Sequence, residues 1–153
     1  MVQRMLAVVI LVLGSGLVPA AAADDDTLGD LRIEHAWSRA TPPGTPVGVG
    51  YLVIANDGEE ADRLLGAQSP VAARVQLHRS IKRDGMSTMK HQDNGVAIPP
   101  GGQVTLEPGG YHLMLMQLDA PLETGDRVPV TLRFRRAGEV TVELAVRPLT
   151  GDD

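Results

Sequence analysis

The sequence contains no cysteine. No disulfide can stabilise the fold, so stability must come from burial. Three kinds of chemistry also drop out: a catalytic thiol, a thioredoxin-like pair, and the thiolate that a blue-copper centre takes as a principal ligand. With no cysteine to carry a lipid, the mature chain is expected to lack a membrane anchor. Aromatic residues are scarce, with one Trp, one Phe and two Tyr, and Trp37 and Tyr51 are expected as core or rim residues. No basic cluster occurs either. The formal charge is −5, a poor match for nucleic acid, and no polybasic stretch suggests an anionic membrane surface.

A long hydrophobic span is missing too. The apolar run from Met5 to Val18 is about 14 residues, short of the roughly 20 that cross a bilayer. It follows Arg4, the single charge of the first 23 residues, and leads through Pro19 into Ala20-Ala21-Ala22-Ala23. This layout predicts a secretory signal, residues 1–23, cleaved before Asp24. Residues 24–153 then form one exported domain of 130 residues, enough for a sizeable core. Without Arg4, thirteen Lys and Arg stand against nineteen Asp and Glu, a formal charge of −6.

The mature chain is patterned as short strands between turns. Strands are predicted at Leu31–Trp37, Val49–Ala55, Arg63–Ala67, Arg74–His78, Ser87–His91, Gln103–Leu106, Tyr111–Leu118, Arg127–Phe134 and Val140–Arg147. Turn residues separate them, among them Asp84-Gly85, Pro99-Pro100-Gly101-Gly102 and Pro108-Gly109-Gly110. In the last strand Val140, Val142, Leu144 and Val146 alternate with Thr141, Glu143 and Ala145. Evenly spaced short strands predict an all-β antiparallel sandwich or Greek-key barrel. The two ends, Asp24–Gly29 and Thr150–Asp153, are expected to fray.

Methionine and histidine are unevenly spread. Met86, Met89, Met114 and Met116 lie between residues 78 and 116, together with His78, His91 and His112. Methionine usually fills core gaps anywhere in a fold. Strand alternation argues against packing here. In Tyr111–Leu118 the residues Tyr111, Leu113 and Leu115 form the apolar side, so His112, Met114 and Met116 share the other. In Arg74–His78 the residues Val75 and Leu77 point inward, so His78 faces away with Arg74 and Gln76. Neutral imidazole combined with soft thioether suits Cu(I), whereas Ca²⁺ and Mg²⁺ want oxygen and structural zinc takes thiolate or more imidazole. Thioethers cannot close into a disulfide, so such a site survives an oxidising compartment. A single His or Met in a strand is more often structural; clustering, the shared face, export and the missing cysteine together point to metal.

The stretches Leu77-His78, Asp84-Gly85-Met86, Met89-Lys90, Ile98-Pro99, Gly101-Gly102 and Pro108-Gly109-Gly110-Tyr111-His112-Leu113-Met114-Leu115-Met116 resemble the PCuAC family of periplasmic copper chaperones. Upstream, Ala36-Trp37-Ser38-Arg39-Ala40-Thr41-Pro42-Pro43-Gly44, Gly50-Tyr51, Asn56 and Ala61-Asp62 are similar as well, and the likeness runs from about Ile33 to Arg147. The family motif is a His, ten residues, a Met, about twenty-one residues, and His-x-Met. Ten residues separate His78 from Met89, and 22 separate Met89 from His112; the extra residue is expected in the Pro99–Gly102 turn. The resemblance implies a cupredoxin-like fold, one Cu(I) per chain held by His78, Met89, His112 and Met114, and a periplasmic location. It also implies delivery to the CuA subunit of cytochrome c oxidase, alongside Sco-type thiol proteins. The chain stops at Leu149-Thr150-Gly151-Asp152-Asp153, without the His/Met-rich tail that would add a Cu(II) site. Met86, Met116 and His91 are candidate helpers, while His35 is expected to be ordinary. Arg39, Arg79, Lys82 and Arg83 are candidates for partner docking against a background in which charged loops are usually just solvated. Two other readings stay open: a copper store without handover, and a metal-free module with methionine as a sticky surface. No Ser/His/Asp set or carboxylate pair suggests an enzyme.

Overall fold

The computed structural model describes residues 25–150, and the expected signal segment, residues 1–23, lies outside them. Eleven strands follow in order: β1 (Asp26–Leu28), β2 (Leu31–Arg39), β3 (Val47–Asn56), β4 (Asp62–Gln68), β5 (Ala72–Arg83), β6 (Met86–His91), β7 (Val96–Ile98), β8 (Gln103–Leu106), β9 (Tyr111–Leu118), β10 (Arg127–Phe134) and β11 (Glu139–Arg147). No helix occurs among the described residues.

Two strands were not predicted. β7 and β1 have three residues each, too short for an alternation to register. Asp26–Leu28, expected to fray, instead pairs antiparallel with β2 across the Gly29-Asp30 turn. β5 is also longer than predicted, running from Ala72 to Arg83.

The strands pair in the order β6-β5-β9-β8-β3-β2-β11-β10-β4-β7, with β9 also meeting β3 and β4 also meeting β5. That last pairing, Ala67 opposite Val75, closes the sheet into a barrel. The antiparallel expectation holds with two exceptions: β11 runs parallel to β2, and β8 parallel to β9. The first joins the early and late strands of the chain, a junction that barrel closure requires.

Inside the barrel, Leu77, Leu113 and Leu115 pack with Leu52, Ile54, Leu132, Leu144 and Val142. Each fully buried aliphatic side chain contributes about 1.5–3 kcal/mol. Gly50 lets β3 come close to β9, because a Cβ there would lie 2.8 Å from Leu144 Cδ1 and 3.3 Å from Leu113 Cβ. Away from β9, buried Asp62 ties β4 to the β10–β11 turn. Its carboxylate accepts from the backbone N–H groups of Arg63 at 2.7 Å, Arg136 at 2.9 Å and Ala137 at 3.0 Å. The alternation along β9 thus leaves one face in the core and turns the other outward.

Candidate metal centre

Local turn chemistry sets the register of the candidate site. Asp84 and Gly85 have φ of 50° and 79°, the pair of left-handed residues that a two-residue type I′ hairpin needs. The turn pairs Arg83 with Met86, and the ladder then carries Ser80 to Met89 and His78 to His91. On the other side of β5, His78 lies opposite His112 and Gln76 opposite Met114. Residues directly opposite each other share a face. One outward surface of β6, β5 and β9 therefore carries Met89 and His91, then Gln76, His78 and Ser80, then His112, Met114 and Met116.

The start of β9 is fixed by Glu107-Pro108-Gly109-Gly110. Pro108 presets φ, Gly109 supplies a φ of 81°, and Gly110 N–H donates to Glu107 O at 3.0 Å, the signature of a type II turn. The Gly110 carbonyl then serves two donors, Ser80 N–H at 3.0 Å and His112 Nδ1–H at 3.2 Å. A carbonyl can only accept, so the proton of neutral His112 sits on Nδ1 and Nε2 carries the lone pair. His78 is held in the complementary sense: its Nε2–H donates to Gln76 Oε1 at 3.2 Å, leaving Nδ1 with the lone pair.

These two nitrogens, His78 Nδ1 and His112 Nε2, are buried and have no hydrogen-bond partner. The ring centroids of His78 and His112 are 5.9 Å apart. An ion bound at about 2.0 Å from a ring nitrogen lies about 3.2 Å from that ring's centroid, so rings up to about 6.4 Å apart can share one. Burial holds the His78 imidazole below its usual pKa, and the nearby His112 and His91 rings lower it further. The ring is thereby kept in the neutral form that a metal needs. Orphaned lone pairs on anchored imidazoles fit a metal ligand pair, since leaving a buried acceptor unsatisfied otherwise costs about 1–3 kcal/mol.

Imidazole alone does not complete a site. Among the described residues no three His, Asp or Glu side chains are grouped to hold an ion by themselves, so a site here would draw its further donors from the thioethers on the same face. Met114 is half-buried, on His112's strand and face. Met89 is 59% exposed, opposite Ser80 rather than His78. His78, His112 and Met114 are thus gathered on adjacent strands, and Met89 stands at the rim of the hairpin. His112 faces away from the core as predicted yet is 3% exposed.

Several neighbours take definite places. Met86, at 70% exposure, sits at the hairpin turn on the face opposite to Met89. His91 lies beside His78, the two rings tilted with centroids 5.4 Å apart. Trp37 and Tyr51 form a tilted pair 4.6 Å apart, with Arg147 and Arg39 over the Trp37 ring at 4.7 and 5.7 Å. Gln76 and the Gly110 carbonyl were missed as functional groups. Gln76 had a legible signal, its place two residues before His78 on the same strand face; the Gly110 carbonyl had none, because its role depends on the turn.

Known proteins resemble this chain in sequence and fold. The family model described as "Putative lipoprotein LpqE-like" matches residues 31–146. A putative lipoprotein of Leifsonia xyli is 35% identical over 135 residues, covering 88% of this chain and 80% of that protein. The copper-bound PCuAC domain from PmoF2 is 30% identical and superposes with a TM-score of 0.70, over 82% of this chain and 98% of that one. The Cu(I) form of DR1885 from Deinococcus radiodurans is 31% identical at a TM-score of 0.60, over 73% and 74% of the two chains. The chain belongs to the LpqE-like family and has the fold of a PCuAC copper-chaperone domain.

Proposed function

We propose that this protein is an exported Cu(I) carrier, not an enzyme, that holds one ion between His78, Met89, His112 and Met114 and passes it on. The observation that carries the reading is the pair of buried, partnerless imidazole nitrogens, each aimed by a hydrogen bond on the opposite ring nitrogen. Two neutral nitrogens and two thioethers form a soft donor set with no thiolate, and full coordination leaves no position for a substrate. Similarity to copper-bound PCuAC domains supports copper as the cargo.

Export to the periplasm is supported by the signal-like first 23 residues and by the lipoprotein names of the relatives. The cysteine on which such a lipid is carried is not in this sequence, and no helix long and apolar enough to cross a membrane occurs among the described residues. As receiver we propose the CuA subunit of cytochrome c oxidase, with Sco-type thiol proteins as co-workers, on the strength of the family resemblance. X-ray absorption on the Cu(I)-loaded protein tests the site by counting two nitrogen and two sulfur neighbours. Full copper stoichiometry in a variant lacking all four side chains would refute it. A transfer assay to an apo CuA domain separates carriage from storage, because a store keeps its metal.

A further inference from the structure

β6 and β9 flank β5 in a local twofold arrangement about His78, with Met89 opposite Ser80 and Met114 opposite Gln76. β9 carries His112 and Met114, β6 carries His91 and Met89, and both pairs lie on the face of His78, which stands between them. The two arms differ in exposure. His112 is 3% exposed, whereas the His91 side chain is 43% exposed and Met89 59%. The rings of His91 and His78 are 5.4 Å apart, again within the roughly 6.4 Å over which two imidazoles share an ion. His91 is also oriented. Its Nδ1 lies 3.0 Å from Asp93 Oδ1, so in the neutral ring Nδ1–H donates to that carboxylate and Nε2 keeps the lone pair.

From this symmetry we propose that His91 is a copper-handling residue: with Met89 it forms an outer arm through which the ion reaches and leaves the inner arm of His112 and Met114. The inference rests on the Cu(I)-carrier reading of the same cluster. His78 belongs to both arms, so the ion is never released to water. The step is an exchange of donors: the bonds to His112 and Met114 break as the bond to His91 forms, Met89 stays within reach, and no electron moves. The exposed outer arm is the part a receiving protein can touch.

An outer-arm ligand that is empty at rest alters loading and release equally and leaves the equilibrium unchanged. The test is Cu(I) titration together with stopped-flow transfer to a chromogenic Cu(I) chelator, on the intact protein and on His91→Leu and His91→Asn. Both substitutions are at an exposed position. Expected is an affinity within twofold of the parent and at least a tenfold slower transfer, with Thr88→Ala on the opposite face of β6 unchanged. Unchanged transfer in the His91 variants overturns the inference, and so does a loss of affinity that accounts for the rate, which would make His91 a resting ligand. Failure of the parent itself to bind Cu(I) would instead overturn the carrier reading.

Discussion

Gln76 offers a sharp test of the site because it is not one of the proposed ligands. Its Oε1 accepts from His78 Nε2–H at 3.2 Å, and this bond directs the His78 lone pair to Nδ1. In Gln76→Leu the ring is free to place its proton on either nitrogen and to rotate, so part of the population presents the wrong atom. A neutral hydrogen bond contributes about 0.5–1.5 kcal/mol, and outer partners of ligating histidines typically account for about 10–100-fold in metal affinity. The bond here is long and uncharged, which favours the lower end. The expectation is a Cu(I) dissociation constant raised about tenfold, equivalent to about 1.4 kcal/mol. Competition against a chromogenic Cu(I) chelator under anaerobic conditions measures it. Gln76→Glu, which keeps an acceptor, should bind within twofold of the parent or more tightly. If Gln76→Leu also binds within twofold while His78→Ala does not bind, orientation by Gln76 is not what prepares His78.

Three further outcomes follow from the structure. The folded state holds the pKa of His78 below its usual value, so below about pH 6.5 the unfolded chain binds more protons at this group than the native one. Stability of the copper-free protein should therefore fall as pH drops from about 6.5 through the lowered pKa of His78, and thermal unfolding of His78→Ala should lose that component. Asp62→Ala removes the acceptor of three backbone N–H groups and should cost about 3 kcal/mol in urea unfolding, with copper stoichiometry retained in the folded protein. Met89 is exposed and Met114 half-buried, so Met89 gives up more rotamer freedom on binding, of order 1 kcal/mol; Met114→Leu should accordingly weaken Cu(I) about fivefold more than Met89→Leu in the same chelator competition, and equal losses would refute the asymmetry.

Much of this site was legible in the sequence because a strand has a period of two. Leu113 and Leu115 placed His112 and Met114 on the opposite face, and the structure keeps them there. Asp84-Gly85 was legible as a turn, but its consequence was not drawn from the sequence. A two-residue turn sets the register of the whole hairpin, so it extends β5 to Arg83 and sets His91 opposite His78. Burial of His112 had no sequence signal, since an outward-facing residue on a barrel is covered only by what neighbouring strands bring to it. The anchoring of its ring was equally hidden: it depends on the Gly110 carbonyl, a backbone group common to every residue. The parallel contact of β11 with β2 joins distant parts of the chain, and local pattern carries no information about such closure.

The differing exposure of the proposed ligands bears on how a carrier can hold copper firmly and still surrender it. A fully buried set of four donors would bind tightly, but each would have to be withdrawn before a receiver could reach the ion. A fully exposed set would admit water and competing ligands, and its side chains would have to be ordered on every binding event. In the proposed site the nitrogen of His112 is buried and pre-aimed, so it would gain most from an ion and lose little entropy in binding it. Met89 stands at the opposite extreme, on a hairpin whose tip is open to solvent. Thioether exchanges readily on a soft ion and titrates at no ordinary pH, so displacement there needs no proton transfer. In the proposed carrier the gradient from β9 to β6 would thus give the ion a direction of departure, the inner donors yielding it to the exposed edge where a receiving protein can reach it.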